Sequence, residues 1–291
     1  GWKRPATVEL FGENGERIYE HDVQIGIHGG WSTIFVQKGF NLLVNKDERS
    51  ENEYIFSGVV GEKNTSLMLR PGGFRDWRRT QFRDALNQKL METRDVTVLR
   101  AVPCQVFIDG EYWGLYNLQE RIDQGLIAQN FGVYYSLYLD VIHYASENDL
   151  SKPEHYRKIE EMIDIQSYID YYCFQIYVAN CDSVSNNYSC WRTLSISDEE
   201  YYDGKWRWIL YDTDDSMGMV EDLAEAETDS FREGHWTNAP MDDVLFSSLM
   251  RNREFEQRFV DTFVEMADTV FAYEYVNQLI DEFCMNYKEA S

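Results

Sequence analysis

The hydrophobic pattern of this 291-residue chain changes from a period of two to a helical period at about residues 121–125. Before the change, apolar and polar residues alternate over Thr7–Phe11, Val23–Ile27 and Gly39–Val44, which is typical of β-strands with one buried face. After it, apolar residues recur at helical spacing, most clearly over 253–288. Strands followed by helices predict an α+β fold with two lobes, residues 1–122 and 123–291.

Three further elements are predicted within the first lobe. They are a strand at Ser66–Arg70, a helix from Thr80 to about Glu92, and a hairpin of Cys104–Ile108 with Tyr112–Leu118. Asp109 and Gly110 join the two hairpin strands, and Asp-Gly between alternating apolar runs is a strong turn signal.

The charge of the chain is strongly acidic, with 51 Asp and Glu against 27 Lys and Arg, a net charge of −24. Such a surface repels phosphate backbones and anionic lipid, so binding to nucleic acid or to a membrane surface is not expected. A basic protein partner would be attracted, although surplus acid also simply keeps a protein soluble.

The sequence contains no run of about 20 apolar residues, so a membrane helix is not predicted. The scattered cysteines and histidines do not suggest a zinc site.

Asp182 and Asn187 are the first candidate pair for chemistry. They follow Tyr168–Val178, a segment that is apolar on all sides and is predicted to be a buried helix. Asn187 lies five positions after Asp182, the same interval as between the catalytic Asp and the metal-binding Asn in the kinase catalytic loop. The spacing alone is weak evidence, because Asp and Asn are common in ordinary turns.

A second group of acids follows a predicted strand, Trp206–Tyr211. Asp212, Asp214 and Asp215 lie directly beyond it, with Gly218 shortly after. Kinases place their second metal ligand at such a strand end. Three carboxylates in four residues repel one another unless a cation compensates them, so the run indicates a divalent metal site or a solvated acidic turn.

The first lobe contributes candidate phosphate-binding residues. Lys38 begins a strand after the glycine-rich turn that contains Ser32, and the two could contact phosphates. A surface lysine after a hairpin is the simpler interpretation. Glu120 and the adjacent Arg121, at the predicted junction of the lobes, either form a surface ion pair or line a ligand cleft.

Four stretches of this sequence, in order, resemble the CotH family of atypical protein kinases. Residues 108–123 are similar to the family's "NGEYWGxYNLxERID", and residues 69–73 with 83–86 to "LRNGG…RDAL". Residues 180–192 resemble "NxDxxxxNxxxWR", and residues 206–218 resemble "WxWIxYDxDxxFG".

The resemblance implies a two-lobed kinase fold that transfers phosphate from ATP to Ser or Thr of proteins with Mg²⁺ or Mn²⁺. Asp182 would be the catalytic base, and Asn187 and Asp212 would bind metal, with Asp214 as the alternative to Asp212. Lys38, Ser32 and Glu120 would contact the nucleotide. The resemblance also implies a bacterial protein that is secreted or on the cell surface.

Two departures keep a second interpretation open. His28 stands where the family usually has Arg before the first glycine, and Met217 replaces the usual aromatic before Gly218. The alternative is a catalytically silent, kinase-like binding or adhesion module.

The segment between Gly218 and Pro240 carries a dense acidic run. Residues 221–229 include five carboxylates, which favour an open, solvated loop unless a basic partner neutralises them. The run therefore predicts a Lys/Arg-rich protein substrate, or else an acidic loop without a role.

Overall fold

The computed structural model of the chain describes residues 2–44, 66–73, 75–121, 138–184, 186–219, 230–231 and 239–290. It confirms the α+β class, with an antiparallel sheet in one compact unit and mainly helices in the other. The sheet unit contains Gly1–Ala85, Leu99–Leu126 and Met285–Ser291; the helical unit contains Leu86–Val98 and Ile127–Cys284. The predicted lobe boundary at 122/123 lies at the edge of residues 122–137, which are outside the described residues.

The sheet unit is built on six antiparallel strands in the order β1-β2-β3-β4-β6-β5. The strands are β1 (Lys3–Phe11), β2 (Arg17–His28), β3 (Gly39–Val44), β4 (Ser66–Arg70), β5 (Ala101–Ile108) and β6 (Glu111–Glu120). Alternation places Val23, Leu42, Leu67 and Leu118 in one buried cluster across four neighbouring strands. The β5–β6 hairpin is confirmed, and positive φ at Asp109 (51°) and Gly110 (82°) gives the expected type of tight turn.

Seven α-helices are found in the described part of the chain. They are α1 (Arg83–Leu90), α2 (Tyr138–Glu147), α3 (Pro153–Met162), α4 (Ile165–Tyr177), α5 (Val244–Leu249), α6 (Arg253–Asp268) and α7 (Tyr273–Glu289). Eleven of the thirteen residues of α4 are buried, which confirms the predicted core helix. Asp164 caps α4 by accepting hydrogen bonds from the N–H groups of Gln166 and Ser167.

Two predicted elements are shorter than expected. Helix α1 starts at Arg83 rather than Thr80, because the Asp76 carboxylate accepts hydrogen bonds from the N–H groups of both residues and Gln81 has a φ of 63°. The strand expected over 206–211 is only β8 (Arg207–Ile209), paired with β7 (Ser189–Trp191). Strand geometry stops before Asp212, whose φ is 54°.

Candidate active site

The loop that carries Asp182 begins directly after the buried helix α4. Asn180 shapes it, because its side-chain oxygen accepts a hydrogen bond from the N–H of Asp182 at 3.1 Å. The amide nitrogen of Asn180 donates to Gln175 Oε1 on α4 at 2.8 Å, and Ser183 Oγ donates to the Asn180 carbonyl at 3.1 Å. The loop is therefore fixed to the most buried helix of the unit.

The carboxylate of Asp182 accepts hydrogen bonds from two asparagines. Asn186 Nδ2 lies 2.7 Å from Asp182 Oδ1, and Asn187 Nδ2 lies 2.9 Å from Asp182 Oδ2. The Asn187 bond occupies its amide nitrogen, which leaves its amide oxygen as the atom able to ligate a metal. Asn186 was not predicted from the sequence to have a role, although it stands in the same polar run.

Asp182 has a raised pKa. Partial burial, which penalises the carboxylate form, is the main cause, and the nearby negative charge of Asp212 raises the pKa further. The hydrogen bonds from Asn186 and Asn187 oppose both effects. The fold thus brings Asp182, Asn187 and Asp212 into one neighbourhood, and Asp182 binds a proton more readily than a free aspartate.

The segment after β8 is tied to the Asp182 loop by backbone hydrogen bonds. The N–H of Cys181 donates to the Asp215 carbonyl at 3.1 Å, and the N–H of Met217 donates to the Val178 carbonyl at 2.7 Å. The two acids proposed as alternative metal ligands differ in exposure, since Asp212 is half-buried whereas Asp214 is only 3% exposed. Asp212 is also the acid whose charge acts on Asp182.

Backbone strain is concentrated in these two segments. Among the described residues, eight non-glycine residues have positive φ, and five of them are Ala179, Val184, Asn187, Asp212 and Met217. This conformation is unfavourable for a side chain with a Cβ, especially a β-branched one such as Val184. Such strain persists only where surrounding contacts impose it, and it occurs often at functional sites.

A divalent cation suits the chemistry of this donor set. The carboxylate of Asp212 or Asp214 and the amide oxygen of Asn187 are hard ligands of the kind that Mg²⁺ and Mn²⁺ take. Among the described residues, no three or more His, Cys, Asp or Glu side chains are grouped so that they could hold a metal ion. Mg²⁺ is commonly held by one or two carboxylates together with water and substrate phosphates, so a partial set is sufficient.

Lys38 lies in the sheet unit, directly before β3, and its ammonium group is bound to the preceding turn. Lys38 Nζ donates to the Thr33 carbonyl at 2.7 Å and also to the Phe35 carbonyl. In the same turn, Gly29 has a φ of 113°, and a Cβ there would lie 2.0 Å from Ser32 Oγ. The glycine is needed for this approach, which places the Ser32 hydroxyl against the backbone.

Glu120 is the last residue of β6, and its carboxylate is paired with Arg100. The Arg100 guanidinium lies 2.7 Å from Glu120 Oε1, and the N–H of Arg100 donates to Glu120 Oε2 at 2.9 Å. Glu120 therefore forms an ion pair with Arg100, whereas the sequence suggested its neighbour Arg121 as the partner. The acidic run at 221–229 lies outside the described residues.

The α+β fold is consistent with a kinase-like protein, and comparison with known families identifies the family. The family model described as "CotH kinase protein" matches residues 25–140 and 132–289. Because these matches span most of the chain, the protein belongs to the CotH kinase family. None of the curated proteins compared with it matches the chain. Among the described helices, none has the length and apolar character needed to cross a membrane.

Proposed function

We propose that this chain is a protein kinase that transfers the γ-phosphoryl group of ATP to Ser or Thr residues of a protein substrate. Family membership supports a kinase-like function and the use of ATP. The observation that carries the proposal is the grouping of Asp182, Asn187 and Asp212 in two loops that are hydrogen-bonded to each other.

Asp182 is the proposed catalytic base. In phosphoryl transfer the protein mainly positions the reactants and stabilises charge, while a carboxylate orients the attacking hydroxyl and accepts its proton. The raised pKa of Asp182 favours this role, since a base works best when its pKa approaches the working pH. The hydrogen bonds from Asn186 and Asn187 fix the orientation of the carboxylate.

Asn187 and Asp212 are the proposed metal ligands, with Asp214 as the alternative to Asp212. When bound, Mg²⁺ or Mn²⁺ would neutralise charge on the phosphates. Asp212 is preferred because it is more exposed than Asp214 and acts electrostatically on Asp182. Lys38 and Ser32 are proposed to contact phosphates, and Glu120 to support nucleotide binding through its pair with Arg100.

The substrate is proposed to be a protein rich in Lys and Arg. The net charge of −24 supports this class of partner and disfavours nucleic acid. A location outside the cell or on its surface is also proposed, on the resemblance to the family alone.

A silent binding module is the second candidate, and the position of Lys38 favours it. The ammonium group that would contact phosphate is instead bound to the carbonyls of Thr33 and Phe35. A chain that had lost catalysis could retain Lys38 solely to hold this turn.

A pair of labelled nucleotides tests the proposal. The protein is incubated with Mn²⁺ and a basic test protein, and with ATP labelled at either the γ- or the α-phosphate. Phosphoryl transfer labels protein from γ-labelled ATP only, and acid hydrolysis then yields phosphoserine or phosphothreonine. Label from α-labelled ATP would indicate nucleotidyl transfer, and no label from either would favour the silent module.

A further inference from the structure

Asn87 links helix α1 to the segment that carries the proposed metal ligand Asp212. The residue is fully buried. Its amide nitrogen lies 2.9 Å from the Thr213 carbonyl, 3.1 Å from Thr213 Oγ1 and 3.0 Å from Ser216 Oγ. All three acceptors belong to the five residues that start at Asp212, and they lie in the same compact unit as Asn87.

The segment held by Asn87 needs external support. Asp212 has a φ of 54°, a conformation that a non-glycine residue keeps only when its surroundings impose it. Thr213, the next residue, is fully buried, and Ser216 Oγ donates to the Thr213 carbonyl at 2.7 Å. The Asn87 amide and the Ser216 hydroxyl therefore converge on one carbonyl, directly beside Asp212.

Toward the other described residues, the Asn87 side chain makes its hydrogen bonds through the amide nitrogen and not through the oxygen. Within the described part of the chain, Asn87 Oδ1 is buried without a hydrogen-bond partner. A buried polar atom that lacks a partner destabilises the folded protein. The amide therefore carries a cost in stability, while its nitrogen holds the Thr213 carbonyl.

We infer that Asn87 is a positioning residue, which holds Thr213 so that the Asp212 carboxylate stays beside Asp182 and Asn187, where it can bind a divalent cation. The inference rests on the proposed function and adds a residue that touches neither metal nor substrate. Groups that orient a metal ligand from behind commonly affect metal affinity strongly.

The test compares Asn87→Asp with a matched variant, Asn252→Asp. Both replace a buried amide that donates to a main-chain carbonyl, and Asn252 donates to Leu150, away from the site. Asn252 also caps α6, where its side-chain oxygen accepts hydrogen bonds from the N–H groups of Glu254 and Phe255. Asp at this position retains that oxygen. Ser216→Ala provides a milder second variant, should Asn87→Asp not fold.

Mn²⁺ binding in the presence of ADP is measured by electron paramagnetic resonance, together with the melting temperature. We expect Asn87→Asp to weaken Mn²⁺ binding about tenfold, Ser216→Ala to weaken it less, and Asn252→Asp to bind like the wild type. In transfer assays, high Mn²⁺ should restore the rate of Asn87→Asp but not that of Asp182→Asn.

The outcomes separate the inference from the proposed function. Equal Mn²⁺ affinity in the Asn87 and Asn252 variants overturns the inference, even where the wild type transfers phosphate. Should Asn87→Asp not fold, wild-type affinity in Ser216→Ala overturns it. A wild type that binds Mn²⁺ without transferring phosphate contradicts the proposed function, while a selective loss in Asn87→Asp still supports the inference. A wild type that binds no Mn²⁺ overturns both.

Discussion

The amide nitrogen of Asn187 donates to Oδ2 of Asp182 across 2.9 Å, although Asn187 itself has a φ of 47°. The bond occupies the amide nitrogen of Asn187, so the amide oxygen is the atom that could bind a cation. One asparagine can thus orient the proposed base and contribute to the proposed metal site. Asparagine adopts this left-handed conformation more readily than most other non-glycine residues do.

Asp212→Asn should weaken metal-dependent ATP binding more than Asp214→Asn does. Asp212 is half-buried and its charge acts on Asp182, whereas Asp214 is nearly inaccessible. Calorimetry with ATP at fixed Mg²⁺ measures both affinities, and melting temperatures separate a binding defect from unfolding. A larger loss of affinity for a folded Asp214→Asn would reverse the assignment.

The Asp182 carboxyl should titrate above its ordinary value of 3.8 in the metal-free protein, and Asp212→Asn should lower its pKa. Burial raises the pKa and the charge of Asp212 adds to it, so neutralising Asp212 removes only the second contribution. ¹³C NMR of the labelled carboxyl groups reports both effects. The control is Asp149→Asn, which changes a loop aspartate that is not among the groups acting on Asp182. An equal shift of the Asp182 pKa in this variant would count against the proximity of Asp182 and Asp212.

The same raised pKa has a consequence for stability. When the pKa of a group is higher in the folded than in the unfolded state, its protonated form stabilises the folded protein. That contribution is lost as the pH rises through the folded pKa. Relative to the wild type, Asp182→Asn should therefore gain melting temperature as the pH is raised from acidic to neutral without metal. A relative fall over the same range would mean that the ionised carboxylate stabilises the fold.

Lys38→Met distinguishes a phosphate-binding lysine from one that only holds its turn. In the wild type, phosphate oxygens of ATP would compete with the carbonyls of Thr33 and Phe35 for the Lys38 ammonium group. Loss of this ammonium group should therefore weaken ATP binding. A nucleotide-bound structure should show Lys38 Nζ at about 3 Å from a phosphate oxygen. Unchanged ATP affinity in a destabilised variant would instead support the silent module.

Much of the fold follows from local sequence pattern. Alternation predicts the strands, Asp109 and Gly110 predict the hairpin, and the apolar run predicts α4. The five-residue interval also anticipates the pairing of Asp182 with Asn187, because residues so close in sequence can meet within one loop.

The remaining contacts depend on tertiary structure. Asn87 and Thr213 are 126 residues apart, and no periodicity relates them. The composition of residues 206–211 favours a longer strand than β8, which ends at Ile209 before the positive φ of Asp212. The bonds from Lys38 to two carbonyls depend on the local turn geometry, which the lysine's place in the sequence does not reveal.

Neutralising the acidic run at Glu225, Glu227 and Asp229 with Gln and Asn should raise the KM for a basic peptide much more than for a neutral one. Dense carboxylates attract Lys and Arg, and the attraction weakens as salt rises. Phosphorylation kinetics with both peptides at low and physiological ionic strength measure the effect. Equal changes for the two peptides would leave the run without a role in substrate choice.

The most direct test of the account is transfer of γ-labelled phosphate by Asp182→Asn, measured beside the wild type and Asp149→Asn. Removal of a general base commonly costs about 10²- to 10⁴-fold in rate, so the Asp182 variant should lose at least about 100-fold while it binds ATP and Mn²⁺ and remains folded. Asp149→Asn should transfer phosphate at the wild-type rate. Wild-type transfer by a folded Asp182→Asn would contradict the account.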